Sequence, residues 1–180
     1  MNSVLKKTAV TLLTAIVFYG LAYYEGRTAD TAILRVYLSY PTLLFVAVVY
    51  GPLVGAASGL LGQIILQTGV PAPDWAAVIC TTVYCALVGF FCRNIDIRSG
   101  FFDRKDATRF NNIQMLSAVI SVLALYPALS VLIRHISWQD ALHAVFFSAV
   151  NMILGGMLIA TLFLALYAKT RLSAANFYRS

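Results

Sequence analysis

The chain is organised as six long apolar runs separated by short polar or turn-forming segments. Each run is about as long as a helix that crosses a bilayer, which takes roughly 17–25 residues. Gly51 and Pro52 divide what would otherwise be one run too long for the hydrocarbon core. The pattern predicts an all-α polytopic membrane protein, a bundle of six transmembrane helices in one domain, 1–180. The helices are expected over 4–24, 31–50, 52–68, 75–92, 113–133 and 141–168.

The composition favours a membrane protein. Hydrophobic residues make up 61% of the chain and charged residues 11%, whereas soluble domains are about 45–50% apolar and about 25% charged. A net charge of +6 would suit a nucleic-acid partner, but the basic residues stand at the ends of the apolar runs and form no dense patch. That distribution is typical of a chain embedded in a lipid bilayer, and we expect no nucleic acid as a partner.

The positions of the basic residues predict how the chain is oriented. With six helices, ten of the 13 lysine and arginine residues share the side that holds both termini, and Arg27, Arg35 and Arg134 lie on the other side. Because the loops on the cytoplasmic side carry an excess of Lys and Arg, both termini are predicted to be cytoplasmic.

Small residues recur along the third run. Gly51, Gly55 and Gly59 are spaced by four, and Gly62 follows. They are predicted to form a smooth stripe along one helix, and such stripes let membrane helices approach closely. We interpret them as helix-packing residues, because this spacing is common in membrane helices and carries little functional information.

Polar side chains fall in the outward halves of several runs. Gln63 and Gln67 lie one turn apart, Asn151 lies in the outer part of the last run, and Arg35 lies near the start of the second. A glutamine that faces hydrocarbon has no good partner, so these groups are predicted to face the bundle interior or a wet cavity. Two interpretations stay open: they bind a polar ligand, or they serve the bundle alone, through interhelical bonds and an Arg35 that reaches the interface.

Aromatic side chains cluster towards the same side of the membrane. Tyr37, Tyr40, Trp75 and Tyr126 are candidates for stacking against a flat ligand. Membrane proteins also carry Tyr and Trp in belts at both interfaces, and such a belt explains most of the cluster.

The first run carries Thr11 and Ala15 in its inward half, four residues apart on one helix face. This pair indicates either a packing seam within the bundle or a docking surface for another membrane protein.

The sequence contains little that could carry catalysis. Its two histidines, His135 and His143, have no nucleophile or metal-ligand partner evident in the sequence, and there is no phosphate-binding loop. The three cysteines share one apolar run without a C-x-x-C pair and are interpreted as core residues. We therefore expect no enzyme activity, no metal site and no cofactor.

Three segments resemble the substrate-binding S components of energy-coupling factor (ECF) vitamin transporters, above all the riboflavin branch. They are 45–67 with its G-P-x-x-G-x-x-x-G-x-x-G core, 110–114 with Phe-Asn-Asn-Ile-Gln, and 151–170, which starts at an asparagine and contains glycines. The likeness covers nearly the whole chain. The family often has a His and an Asp where this chain has Gln63 and Gln67. Its A-x-x-x-A docking motif is only loosely similar to the segment from Thr11 to Ala15.

The resemblance implies a function. An S component of this family binds its vitamin from outside and docks on a membrane T component that two cytoplasmic ATPases drive. It then releases the vitamin inside. Riboflavin or a related vitamin is the implied ligand, and the prokaryotic cytoplasmic (inner) membrane the implied location. The alternatives are an S component for another vitamin or cofactor precursor, and a membrane scaffold without a small-molecule pocket. Ligand binding predicts that Arg35, Gln63, Gln67 and Asn151 converge on one cavity.

Overall fold

The computed structural model describes residues 3–27, 37–68, 70–95 and 97–177. These residues form six helices and no strand, which confirms the all-α class for this part of the chain. Two short 3₁₀ turns, Cys92–Asn94 and Ile97–Ser99, connect the fourth helix to the fifth.

The first four helices are α1 (Ser3–Arg27), α2 (Ser39–Tyr50), α3 (Pro52–Gln67) and α4 (Trp75–Phe91). Helix α5 joins Arg104–Ala118, a π-helical segment Val119–Leu125 and Tyr126–Arg134, and α6 joins Trp138–Gly155, a π-helical segment Gly156–Ala160 and Thr161–Phe177.

Helix α5 begins at Arg104, earlier than the predicted start at residue 113. The carboxylate of Asp103 caps it by accepting a hydrogen bond from the backbone N–H of Asp106 at 2.8 Å. Such a cap satisfies a free N–H at a helix start. The polar stretch 104–112, which lies outside the predicted helices, is therefore the first part of a helix.

Helix α6 also extends beyond its predicted bounds of 141–168. The hydroxyl of Ser137 accepts a hydrogen bond from the N–H of Asp140 at 3.1 Å, which places the first helical residue at Trp138. At the other end no glycine or proline interrupts the sequence before Phe177, and the helix continues to that residue.

Four of the described helices, α1, α4, α5 and α6, are long and apolar enough to cross a membrane. Helices α2 and α3 are apolar but shorter, with 12 and 16 residues. The predicted second helix also includes 31–36, which lie outside the described residues. The chain is a multi-pass helical membrane protein, while the six-span count and the cytoplasmic termini stay predictions.

The helices form a bundle with two ends. At one end the carboxylate of Glu25 accepts hydrogen bonds from the N–H and the hydroxyl of Ser39, and Arg134 contacts Asp74 at 3.4 Å. We call this end the Asp74 end. It also holds the connections from α3 to α4 and from α5 to α6. The opposite end, the Arg104 end, holds the turn between α2 and α3 and the connection from α4 to α5.

The glycines of α3 do not form a stripe against a single neighbour. A Cβ placed on Gly55 would lie 2.7 Å from the Cα of Ala47 in α2, and one on Gly62 would lie 2.6 Å from the ring of Phe18 in α1. A Cβ on Gly59 would meet α4 at an ordinary 3.4 Å. Gly51 has a different role, since its φ of 100° ends α2 in a conformation that other residues rarely adopt.

A buried hydrogen-bond network ties α4, α5 and α6 together. The hydroxyl of Tyr84 donates to Oε1 of Gln114 at 3.0 Å, and Nε2 of Gln114 donates to the backbone carbonyl of Ile153 at 3.2 Å. Gly156 opens the π-helical segment of α6 beside this amide, and a Cβ on it would collide with the Gln114 side chain. The close approach of α6 to α5 therefore depends on a glycine at this position.

Candidate substrate site

A part-enclosed cavity of about 150 Å³ lies within the bundle near the Asp74 end. Its aromatic rings are Tyr40 from α2 and Tyr126 from α5, and its polar groups are Asp74, Thr81 and Ser148. The rest of the wall is apolar or weakly polar and consists of Ala77, Cys80, Val122, Ala144, Val145 and Met152. A mostly apolar wall with a few placed polar groups is the usual lining of a small-molecule site.

Asp74 is the centre of the polar network at this end. Its carboxylate accepts hydrogen bonds from the Tyr126 hydroxyl at 2.7 Å and from the N–H of Ala77 at 3.2 Å, and it pairs with Arg134 at 3.4 Å. The N–H of Asp74 donates to the side-chain carbonyl of Gln67 at 3.0 Å. One residue thus joins the start of α4 to the ends of α3 and α5.

A second, more open groove of about 640 Å³ shares Asp74 with the cavity. Gln67 and Arg134 line only the groove, and Tyr126 lines only the cavity. The Asp74 network therefore separates the two spaces. Its ion pair is the weakest part of this partition, because the side chains of Arg134 and Asp74 are 47% and 24% exposed and exposed pairs contribute only about 0–1 kcal/mol.

Gln63 lies behind the cavity wall. It is 3% exposed, and its Nε2 donates to the hydroxyl of Thr81 at 3.1 Å. Its Oε1 has no hydrogen-bond partner among the described residues. Whichever way the amide is oriented, one of its polar ends bonds Thr81 and the other lacks a partner in this part of the structure. A buried polar group without a partner costs about 1–3 kcal/mol, so this amide is a strong candidate for a ligand contact.

Tyr40 brings a ring to the cavity from α2. Its ring packs edge-on against Phe18 of α1, with 5.8 Å between centroids. Its hydroxyl interacts with the Thr81 side chain, which is also the partner of Gln63. The ring is therefore held in position on two sides, which leaves it preorganised for contact with a ligand.

The remaining predicted site residues lie away from the cavity wall. Trp75 is 49% exposed at the start of α4, and Tyr37 is half-buried, with its carbonyl against Gly155. Asn151 is buried in α6, one residue before Met152 of the wall. Arg35 lies outside the described residues. Among the predicted residues, the structure thus brings Tyr40 and Tyr126 to the cavity, Gln63 directly behind it and Gln67 to the adjoining groove.

Thr11 and Ala15 face the interior of the bundle. The backbone carbonyl of Thr11 accepts a hydrogen bond from Ser58 at 3.4 Å, and a Cβ on Gly62 would lie 3.2 Å from the carbonyl of Ala15. The pair thus lies where α1 packs against α3, and its role as a docking surface for another membrane protein stays a prediction. The exposed face of α1 is a different one, formed by Leu12, Leu13, Ile16 and Val17.

The sequence interpretation missed Asp74, Thr81 and Ser148. Asp74 carried a signal, because an aspartate directly before an apolar run is a typical helix N-cap, and its side chain does accept from Ala77. Thr81 and Ser148 carried none, since small hydroxyl side chains are common within membrane helices and only the packing shows which of them face a cavity.

The bundle of apolar helices around a part-enclosed cavity with a few polar groups defines a membrane protein with a candidate small-molecule site. Residues 1–169 match the family described as "ECF-type riboflavin transporter, S component". The chain belongs to this family, which confirms the resemblance found in the sequence. It is a family of transporter components and not of enzymes.

Curated relatives carry the name UPF0397 protein. One from Enterococcus faecalis is 31% identical over 134 residues, which is 74% of this chain and 73% of the relative. One from Staphylococcus aureus is 29% identical over 77% of this chain and 76% of its own length, and one from Lactobacillus johnsonii is 26% identical over 78% and 76%. No solved structure matches the chain.

Proposed function

We propose that this protein is the substrate-capture subunit of an ECF-type vitamin uptake transporter in a prokaryotic cytoplasmic membrane, with riboflavin or a related vitamin as its ligand. The observation that carries the proposal is the cavity near the Asp74 end. It offers two tyrosine rings, Tyr40 and Tyr126, and the hydroxyls of Thr81 and Ser148, and the unpartnered amide end of Gln63 lies directly behind. Aromatic faces suit a flat ring system, and the polar groups suit its heteroatoms.

The size of the cavity has a consequence for how a ligand enters. Sites for drug-sized molecules are roughly 300–1,000 Å³, whereas the cavity is about 150 Å³. A vitamin of the size of riboflavin therefore needs the cavity to join the neighbouring groove. The Asp74 network separates the two spaces, and its exposed bond to Arg134 costs little to open. We infer that the ligand enters from the groove by displacing this network.

The same proposal includes the partners of the complex. As an S component, the chain would assemble with a membrane T component and two cytoplasmic ATPases, which supply the energy that the chain itself has no motif to provide. The apolar face of α1 formed by Leu12, Leu13, Ile16 and Val17 is exposed in the isolated chain and is our candidate for the contact with the T component.

A fluorescence titration tests ligand capture. Bound riboflavin stacks on tyrosine rings, so its fluorescence should be quenched saturably by the purified protein. Ala144→Phe, which adds a ring to the cavity lining, should weaken binding by about tenfold or more, because the ring takes up space that the ligand needs. Ala124→Phe is the matched control, because Ala124 is an exposed residue of α5 that does not line the cavity, and it should bind like the unmodified chain.

The results separate the alternatives. If Ala144→Phe binds riboflavin as tightly as Ala124→Phe does, the cavity is not the site. If riboflavin fails to bind but another vitamin shows the same pattern, only the choice of ligand is wrong. If native mass spectrometry of the purified protein finds no small molecule and no vitamin binds in titration, the capture function fails and a scaffold becomes the better explanation.

A further inference from the structure

Another, larger groove lies at the Arg104 end, at the opposite end of the bundle from the candidate substrate site. It has a volume of about 1040 Å³ and is formed where α4 ends and α5 begins. Three of its lining residues are cationic, Arg104, Lys105 and Arg109. All three are exposed, and none forms an ion pair with any residue that the structure describes.

The other polar groups of this groove reinforce its preference for an anion. Thr108 and Asn112 add a hydroxyl and an amide to the lining. One carboxylate, Asp103, also lines it, but that side chain already accepts the N–H of Asp106 as the cap of α5. Three cations against one carboxylate leave the groove with an excess of positive charge. Because α5 starts here, the positive end of its dipole adds to the attraction.

The spacing along α5 arranges these groups into two neighbouring ridges. Arg104, Thr108 and Asn112 are four apart, and so are Lys105, Arg109 and Ile113. Residues four apart lie on the same face of a helix, one above the other. The cations therefore occupy the first turns of α5, and the lining becomes apolar as the helix proceeds into the bundle.

The apolar surface continues beyond the groove. Leu116 and Ile120 extend the same face of α5 and are 59% and 45% exposed, and Phe91 contributes an exposed ring from α4. Over a few turns of one helix, the surface changes from unpaired cations to exposed aliphatic side chains. A phospholipid changes in the same order, from its phosphate headgroup to its acyl chains.

We propose that this groove is a binding site for an anionic phospholipid. Its phosphate lies against Arg104, Lys105 and Arg109, and its acyl chains run along Phe91 and Leu116. An acidic protein surface would satisfy the three cations, but it would leave the adjoining Leu116 and Ile120 uncovered. The lipid explains both halves of the surface, and it anchors the start of α5 at the membrane interface.

The test is native mass spectrometry of the full-length protein, purified in detergent and incubated with phosphatidylglycerol or phosphatidylcholine. Phosphatidylglycerol should be retained preferentially. The triple variant Arg104→Gln, Lys105→Gln and Arg109→Gln should lose about tenfold or more of this retention, because each basic group near an anionic lipid adds to the attraction. The matched control replaces Lys6, Lys7 and Lys169 by Gln, which removes as much charge at the same end of the bundle without touching the groove.

Several outcomes would overturn the proposal. Equal losses in the two triple variants would mean that general charge attracts the lipid and that no specific site exists. Competition by glycerol phosphate as strong as by the whole lipid would identify a site for free phosphate. If the triple variant of Arg104, Lys105 and Arg109 retains the lipid unchanged but loses the T component or the ATPases from the purified complex, the groove belongs to a protein partner. If the groove variant fails to fold, the unmodified protein still decides, since equal retention of the two lipids at low salt contradicts the proposal.

Discussion

At the scale of single residues, two buried glutamines illustrate how the bundle uses polar groups. Gln114 is fully buried and uses both ends of its amide, as acceptor from Tyr84 and as donor to Ile153. Gln63 is almost as buried, but one end of its amide has no partner among the described residues. The first amide is satisfied within the chain, whereas the second is available to a ligand next to the cavity.

The two glutamines should therefore respond differently to the same substitution. Gln114→Leu leaves the Tyr84 hydroxyl without its acceptor and removes a second hydrogen bond to the Ile153 carbonyl, so we expect a loss of about 2–3 kcal/mol in the free energy of unfolding. Gln63→Leu removes one hydrogen bond and an unsatisfied group, so stability should change by less than about 1 kcal/mol while ligand affinity falls about tenfold or more. Thermal unfolding in detergent and ligand titration measure the two effects. A Gln63→Leu protein that binds its ligand with full affinity would exclude this amide from the site.

At the scale of elements, α3 shows how glycines let several neighbouring helices approach one helix closely. Its glycines meet three different helices, and the space at each position differs. The sequence spacing of four suggested one continuous stripe, but the neighbour changes along it, from α2 at Gly55 to α4 at Gly59 and α1 at Gly62. The glycines hold α1, α2 and α4 around a common centre, which positions Gln63 and Thr81 beside the cavity.

This arrangement predicts a graded response to alanine. In Gly55→Ala the new Cβ would lie 2.7 Å from the backbone of Ala47, which cannot move without shifting α2, so a loss of about 1–3 kcal/mol is expected. In Gly59→Ala the nearest atoms are at 3.4 Å, and the gain in helix propensity should make the change neutral or slightly stabilising. The midpoint of thermal unfolding compares the two variants, and equal midpoints would contradict the close approach of α2 and α3.

At the scale of the whole molecule, the two ends of the bundle differ in charge and in what they offer. The Asp74 end carries the cavity, the adjoining groove and a single described ion pair. The Arg104 end carries the cationic groove. The proposed capture of a solute on one side and anchoring at the other would use such an asymmetry, and the positive-inside rule predicts that the basic end faces the cytoplasm.

Cysteine labelling in intact cells tests this orientation. Ala72→Cys places an exposed thiol at the Asp74 end and Phe101→Cys places one at the Arg104 end, while the natural cysteines Cys80, Cys85 and Cys92 are buried. A membrane-impermeant maleimide should label Ala72→Cys in intact cells and Phe101→Cys only after permeabilisation. The unmodified protein should remain unlabelled in both conditions. The reverse pattern would place the cavity on the cytoplasmic side.

The apolar runs were sufficient to establish the helical class, the membrane environment and the approximate helix positions, because a chain that is 61% hydrophobic can bury that surface only in lipid. The family resemblance also followed from residues close together in the sequence. The starts of α5 and α6 did not follow from the apolar runs, because a capping side chain, and not hydrophobicity, decides where each helix begins.

Only the packing decided which polar groups meet. Gln63, Thr81 and Tyr40 come from three helices, and Asp74 reaches Tyr126 across 52 positions of sequence. Such contacts depend on how helices rotate and cross, which no local pattern encodes. The tertiary structure also turned Thr11 and Ala15 inward and placed the α3 glycines against three partners. The sequence therefore predicted a membrane bundle with polar groups near one end, and the fold determined which of those groups form the cavity.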